Sequence, residues 1–130
     1  MGIGEERSGP SRLSFAVDSS PEAVRVVLRG EADLGTSSIL RDALQEAASL
    51  HPAVEVDLRQ LEFIDTSCVR RLLEAHGHVV SRGGTMRVLI GGGTVRRVFE
   101  ILRLDEQLSV RRAGTLPAGD DNTPRSSWNP

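Results

Sequence analysis

The tripeptide Asp65-Thr66-Ser67 places a carboxylate and two hydroxyls where an apolar strand has ended and an amphipathic helix begins. Strand-to-helix junctions are where functional groups collect in α/β proteins. Thr66 or Ser67 can accept a hydrogen bond from a free backbone N–H, and Asp65 places negative charge beside the positive end of the helix dipole. The junction therefore predicts either a functional hydroxyl or a plain helix cap, and residue type alone does not separate them.

Three other groupings that could do chemistry fit their motifs poorly. A Ser-His-Asp hydrolase built on Ser67 would lack the GxSxG elbow. The Gly-rich run at 91–94 precedes a helix but has neither the GxxxxGK[ST] nor the GxGxxG spacing of a phosphate-binding loop. His76 and His78 diverge on a helix and lack further ligands at metal-site spacing. We therefore expect no metal, no cofactor and no catalysis at these positions.

The elements that position the junction follow from apolar periodicity. Short apolar or alternating runs predict strands at 13–17, 23–28, 54–58, 86–90 and 107–110, the first two joined as a hairpin. Helical spacing predicts one helix that Thr36 or Ser37 caps and that ends before His51, a second from Ser67, and a third after residue 94. This alternation predicts one α/β domain with a mixed four- to five-stranded sheet packed with helices.

The second helix is expected to have two faces. Arg70, Arg71, Glu74 and His78 should point away from the core. The residues expected on the core side are Val69, Leu72, Leu73, His76 and Val80.

Residues 54–73, VEVDLRQLEFIDTSCVRRLL, resemble the central segment of the STAS domain, the module of bacterial anti-sigma factor antagonists. The shared pattern is a buried strand, Asp-Leu, a short spacer, an apolar pair, and Asp-[Ser/Thr]-Ser opening a helix. Residues 30–34 look like the Gly-Glu-x-Asp signature of the family, and residues 95–105 look like its last helix. The resemblance covers roughly residues 13–110, in the expected order.

What the resemblance implies is a partner switch. In this family the second hydroxyl of the motif, Ser67 here, is phosphorylated by an anti-sigma factor that is also a serine kinase. The unphosphorylated antagonist binds that kinase and frees a sigma factor, the phosphorylated form lets go, and a serine/threonine phosphatase resets it. The chain would then be a protein-binding module and not an enzyme.

The resemblance also assigns neighbouring residues. Asp65 and Thr66 adjoin the switch, and Asp33 shapes the surface that faces the kinase, although a turn carboxylate explains Asp33 equally well. Arg70 and Arg71, one turn from Ser67, either meet acidic groups of the partner or lie on a solvated face. Cys68 stands where the family usually has Gly, so its side chain is expected to alter docking. A lone cysteine usually packs as a small apolar residue, although a thiol in a first helical turn can also have a lowered pKa and sense redox state.

Composition fits a small cytoplasmic module. The 130 residues, 38% of them hydrophobic, can bury one core, and no apolar run approaches the roughly 20 residues of a membrane span. A net charge of −2, with basic residues spread along the chain, argues against direct nucleic-acid binding. Residues 1–10 and 113–130 read as disordered tails around a domain at 11–112.

Two alternatives remain open at the level of sequence. The first is a STAS subunit of a lipid-transport or stress-signalling assembly, with Ser67 unmodified. The second is a small-ligand or nucleotide-binding STAS module that uses the same junction.

Overall fold

Five strands form one mixed sheet in the order β1-β2-β3-β4-β5, in which β1 is antiparallel to β2 and the other neighbours are parallel. A computed structural model describes residues 12–112, so both predicted tails lie outside the described residues. The strands are β1 Leu13–Ser19, β2 Val24–Ala32, β3 Ala53–Ile64, β4 Thr85–Ile90 and β5 Ser109–Arg112. The helices are α1 Ser37–Leu50, α2 Thr66–Ser81 and α3 Gly93–Ile101, with 3-10 turns at Leu34–Thr36 and Leu104–Glu106.

The sheet adds strands in chain order, so each parallel crossover moves the same way across it. Right-handed crossovers then place α1, α2 and α3 on one face. The core lies between that face and the helices, where Val26, Val56 and Val88 are fully buried together with Leu72 and Phe99. The result is two layers, helices over a sheet, and no helix of the described residues covers the opposite face of the sheet.

The predicted α/β class with a mixed sheet is confirmed, and the bounds of α1 and β4 differ from prediction by at most one residue. The core side of α2 differs in one place. Val80, expected on the core side, is 49% exposed, whereas Val79 is buried. The buried positions Val69, Leu72 and Val79 lie on one face of the helix, and Val80, the next residue in the chain, lies outside that face.

Strand β3 is longer than its apolar pattern predicts. The predicted strand ends at Leu58, but β3 continues to Ile64 because β2 extends beside it to Ala32. The pairing shifts register between Val27 and Arg29 and again between Gly30 and Glu31. Because of this extension, Asp65 lies directly between the end of β3 and the first turn of α2.

Within the described part of the chain, no helix is long and apolar enough to cross a membrane.

Candidate functional site

Asp65 is the N-cap of α2. One of its oxygens, Oδ1, accepts a hydrogen bond from the Cys68 N–H at 3.2 Å. The expectation that Thr66 or Ser67 caps this helix is therefore wrong. The backbone of Asp65 is extended, which places its carboxylate over the first turn, whereas Thr66 and Ser67 already belong to the helix.

The Ser67 hydroxyl donates to the same carboxylate. Its Oγ lies 2.6 Å from Asp65 Oδ1, a short hydrogen bond between a hydroxyl and an ionised acceptor. Ser67 is half-buried and Thr66 is exposed. The structure thus distinguishes the two hydroxyls: that of Ser67 is held in one orientation by Asp65, and that of Thr66 faces solvent.

Asp65 also ties α2 to the turn after β2. Its second oxygen, Oδ2, accepts from the Leu34 N–H at 3.0 Å, and its own N–H donates to the Ala32 carbonyl at 3.0 Å. Because Oδ1 serves Ser67 and Cys68, one carboxylate joins two segments about thirty residues apart. The Ser67 hydroxyl and the Leu34 N–H therefore share one carboxylate, each through a different oxygen.

Asp33 organises that turn. Its Oδ1 accepts from the Thr36 N–H at 3.1 Å while the Thr36 hydroxyl accepts from the Asp33 N–H at 2.9 Å, a capping box. Arg12 forms ion pairs with Asp33 and with Glu31. Desolvation acts to raise the pKa of Asp33, but the Thr36 hydrogen bonds and the Arg12 charge outweigh it, so that this pKa is lowered. Thr36 occupies the N-cap position of α1, as predicted, but its side chain makes no capping hydrogen bond there because its hydroxyl is used inside the preceding turn.

Cys68 points inward rather than towards a partner. Its side chain is fully buried, and Sγ lies 3.4 Å from the Asp33 carbonyl oxygen. Burial, reinforced by the Asp65 charge, raises the pKa of the Cys68 thiol to about 11. The thiol is therefore neutral near pH 7, opposite to the lowered pKa that a redox sensor needs, and its side chain does not occupy the outer surface of the junction.

Arg70 and Arg71 differ in their surroundings. Arg70 is exposed, and no ion pair joins it to the rest of residues 12–112. Arg71 is half-buried and pairs with Glu74 at 3.5 Å along the helix. Arg70 is consequently the freer of the two for an acidic partner, and Arg71 would first have to leave Glu74.

Sequence reasoning missed Leu34. It lies in the turn held by Asp65 and is 75% exposed, the largest exposure among the big apolar side chains described. Single exposed leucines are common, but this one adjoins the hydroxyl site. Its position directly after the Gly-Glu-x-Asp segment was the available signal.

The described residues include no group of three or more His, Cys, Asp or Glu side chains that could hold a metal ion. The junction thus offers a hydroxyl, two carboxylates and an exposed apolar residue, arranged on a rigid strand–helix frame. Such a set can be modified and can bind a protein surface.

The sequence matches the family model described as "Mlab, STAS domain" over residues 15–112. Among solved structures, the fold is similar to an anti-sigma factor antagonist from Mycobacterium paratuberculosis, with a TM-score of 0.71 and 24% identity over 87% of this chain and 92% of that chain. It is also similar to the Bacillus cell fate determinant SpoIIAA in the phosphorylated form, with a TM-score of 0.59 and 22% identity over 78% and 93% of the two chains. SpoIIAA in its unphosphorylated form gives a TM-score of 0.62 at 21% identity, covering 78% of this chain and 90% of that chain.

Proposed function

The chain belongs to the STAS domain family, and from this premise we propose that it is an anti-sigma factor antagonist whose binding is switched by phosphorylation of Ser67. The observation that carries the proposal is the Ser67 hydroxyl held 2.6 Å from Asp65 at the start of α2. The proposed partner is an anti-sigma factor serine kinase, and a serine/threonine phosphatase resets the switch. The protein acts as a binding module rather than an enzyme.

The geometry supports an electrostatic switch. Phosphorylation replaces the Ser67 hydroxyl proton, so the oxygen can no longer donate to Asp65. The phosphate adds about −1.5 to −2 charges beside a carboxylate that already caps the helix. At a separation of about 4 Å and an effective dielectric near 20, each unit of added charge meets repulsion of order 4 kcal/mol.

This repulsion drives the phosphate outward, away from Asp65 and towards the surface that the partner would occupy. The Cys68 N–H and the Leu34 N–H keep their bonds to Asp65, so the domain remains folded. The added charge then acts mainly on the affinity for the partner. An interface that accommodates a neutral hydroxyl there, next to Leu34 and Asp33, would lose affinity several hundredfold or more.

A second candidate is a STAS subunit of a lipid-transport or stress-signalling assembly in which Ser67 stays unmodified. One observation favours keeping it: the matching family model is described as Mlab rather than as an anti-sigma factor antagonist. In that case the junction is a constitutive contact and Asp65 is a structural cap.

Pull-downs from the source cells with full-length Ser67→Ala and Ser67→Asp baits separate the candidates. The matched control is Ser81→Asp, an equal charge change at the exposed far end of the same helix. We expect a kinase to be recovered on the Ser67→Ala and Ser81→Asp baits and lost on the Ser67→Asp bait. Equal recovery of one partner set on all three baits would contradict the switch and favour the structural subunit.

Phosphopeptide mapping after incubation with the recovered kinase assigns the acceptor. We expect phosphate on Ser67 and none on Ser67→Ala. Modification of the solvent-facing Thr66 hydroxyl instead would show that exposure, and not the bond to Asp65, selects the acceptor.

A further inference from the structure

Among residues 12–112, one face of the sheet carries arginines and no helix. The strand register places Arg25, Glu55, Arg87 and Ser109 side by side on this face, opposite to the core residues. Parallel strands such as β2 to β5 are normally covered on both faces. We call the set Arg25, Arg29, Arg59, Arg87 and Arg111 the arginine face; all but the half-buried Arg25 are exposed.

Contacts across the strands hold the arginine face in place. Asp57, only 2% exposed, pairs with Arg25 at 3.1 Å and with Arg59 at 2.7 Å. Glu55 pairs with Arg87 at 3.3 Å. Three guanidinium groups are thus fixed by two carboxylates, which lowers the entropic cost of presenting them to a ligand.

Positive charge is in excess on this face. The Nε of Arg29 is bonded to the neutral amide of Gln60 at 2.7 Å, and Arg111 is exposed with no ion pair inside residues 12–112. The strand registers place Asp18 and Glu31 on this face besides Asp57 and Glu55, so five arginines stand against four acids, and Glu31 is already paired with Arg12. Burial lowers the pKa of Arg25, the charge of Arg59 adds to this effect, and Asp57 only partly opposes it.

We propose that the arginine face docks an acidic segment of another protein. A second copy of this chain fits poorly, because a two-fold contact through this face would set arginines against arginines. Nucleic acid fits poorly as well, since Asp18 and Glu55 interrupt the positive surface and the chain has a net charge of −2. Arginines separated by the half-buried apolar position Val27 match carboxylates alternating with apolar side chains.

Fluorescence anisotropy with a labelled poly-L-glutamate peptide and the full-length protein tests this surface. We expect saturable binding at low ionic strength that the Arg29→Glu/Arg111→Glu variant weakens by about tenfold or more. The matched control is Arg97→Glu/Arg103→Glu, the same charge change at exposed positions on and after α3. It should bind within about twofold of the wild type.

Several outcomes would overturn the proposal. Absence of binding by the wild type at low salt, or equal weakening by the control variant, would show that the arginine face is not a specific surface. Tighter binding of duplex DNA or of phosphatidylglycerol vesicles, with the same dependence on Arg29 and Arg111, would assign it to another class of ligand. Ser67→Asp should leave peptide binding unchanged, so failure here and failure of the Ser67 switch are separate results.

Discussion

Asp65→Ala tests the central contact of the site through its effect on folding stability. The substitution removes a helix cap at Cys68, a bond to the Leu34 N–H and the acceptor of the Ser67 hydroxyl. The lost cap costs about 1 kcal/mol, and each of the other bonds costs about 0.5–1 kcal/mol because water can partly replace Asp65. The sum is a loss of about 2–3 kcal/mol in the free energy of unfolding.

Urea denaturation of the full-length protein, followed by circular dichroism, measures this loss. Asp65→Asn should lie between the wild type and Asp65→Ala, because an amide has one acceptor oxygen and would present its NH2 group to the remaining donor. The control is Asp105→Ala, an exposed carboxylate whose removal should change stability by less than about 0.5 kcal/mol. A loss below about 0.5 kcal/mol for Asp65→Ala would refute the role of the carboxylate as a clamp.

A double-mutant cycle isolates the bond on which the proposed phosphorylation switch depends. We expect Asp65→Ala and Ser67→Ala to be non-additive by about 0.5–1.5 kcal/mol, because they share the 2.6 Å hydrogen bond. Additive losses would mean that Ser67 gains nothing from Asp65. The outward expulsion of the phosphate would then lose its basis.

Three further predictions concern packing and pH. Gly30→Ala should destabilise the fold by more than about 2 kcal/mol, since a Cβ would lie 2.0 Å from the Arg12 carbonyl oxygen at a φ of 107°; Gly77→Ala, with nothing within 4 Å, should stabilise slightly in the same melts. Stability should fall as pH rises from 9.0 towards about 11, because the folded state holds the Cys68 proton more tightly, and Cys68→Ala should flatten that fall in denaturation series. Because folding lowers the pKa of Asp33, its carboxylate contributes stability above pH 3.8, the ordinary pKa, and this stability is lost as pH falls through the pKa of the folded state. Asp33→Asn should therefore make acid unfolding less steep. An unchanged slope would contradict the Thr36 and Arg12 contacts.

Much of the architecture could be predicted from the sequence because it depends on local pattern. The helical spacing of apolar residues in α1 and the strand pattern of β4 locate both elements to within a residue. The junction at Asp65-Thr66-Ser67 is also local, since a strand ends there and a helix begins. The family resemblance then supplied the fold, which the observed sheet confirms.

The partners within the site could not be read from the chain. Residue types allowed Asp65, Thr66 or Ser67 to cap α2, and only the extended backbone at the end of the lengthened β3 selects Asp65. The inward direction of Cys68 depends on its packing beneath the Asp33 carbonyl, 35 residues away. Its raised pKa follows from that burial and not from its place in the first turn.

The sequence by itself determined which segments become strands and helices, and where the hydroxyl stands between them, because both follow from neighbours a few residues apart. Only the tertiary structure decided that Asp65 serves Ser67 and Leu34 together, and that arginines from different strands form one face. The register of β2 against β3 sets the first arrangement, and the registers of β2 to β5 together set the second. These registers are fixed by the burial of one whole face of the sheet, which no short stretch of sequence contains.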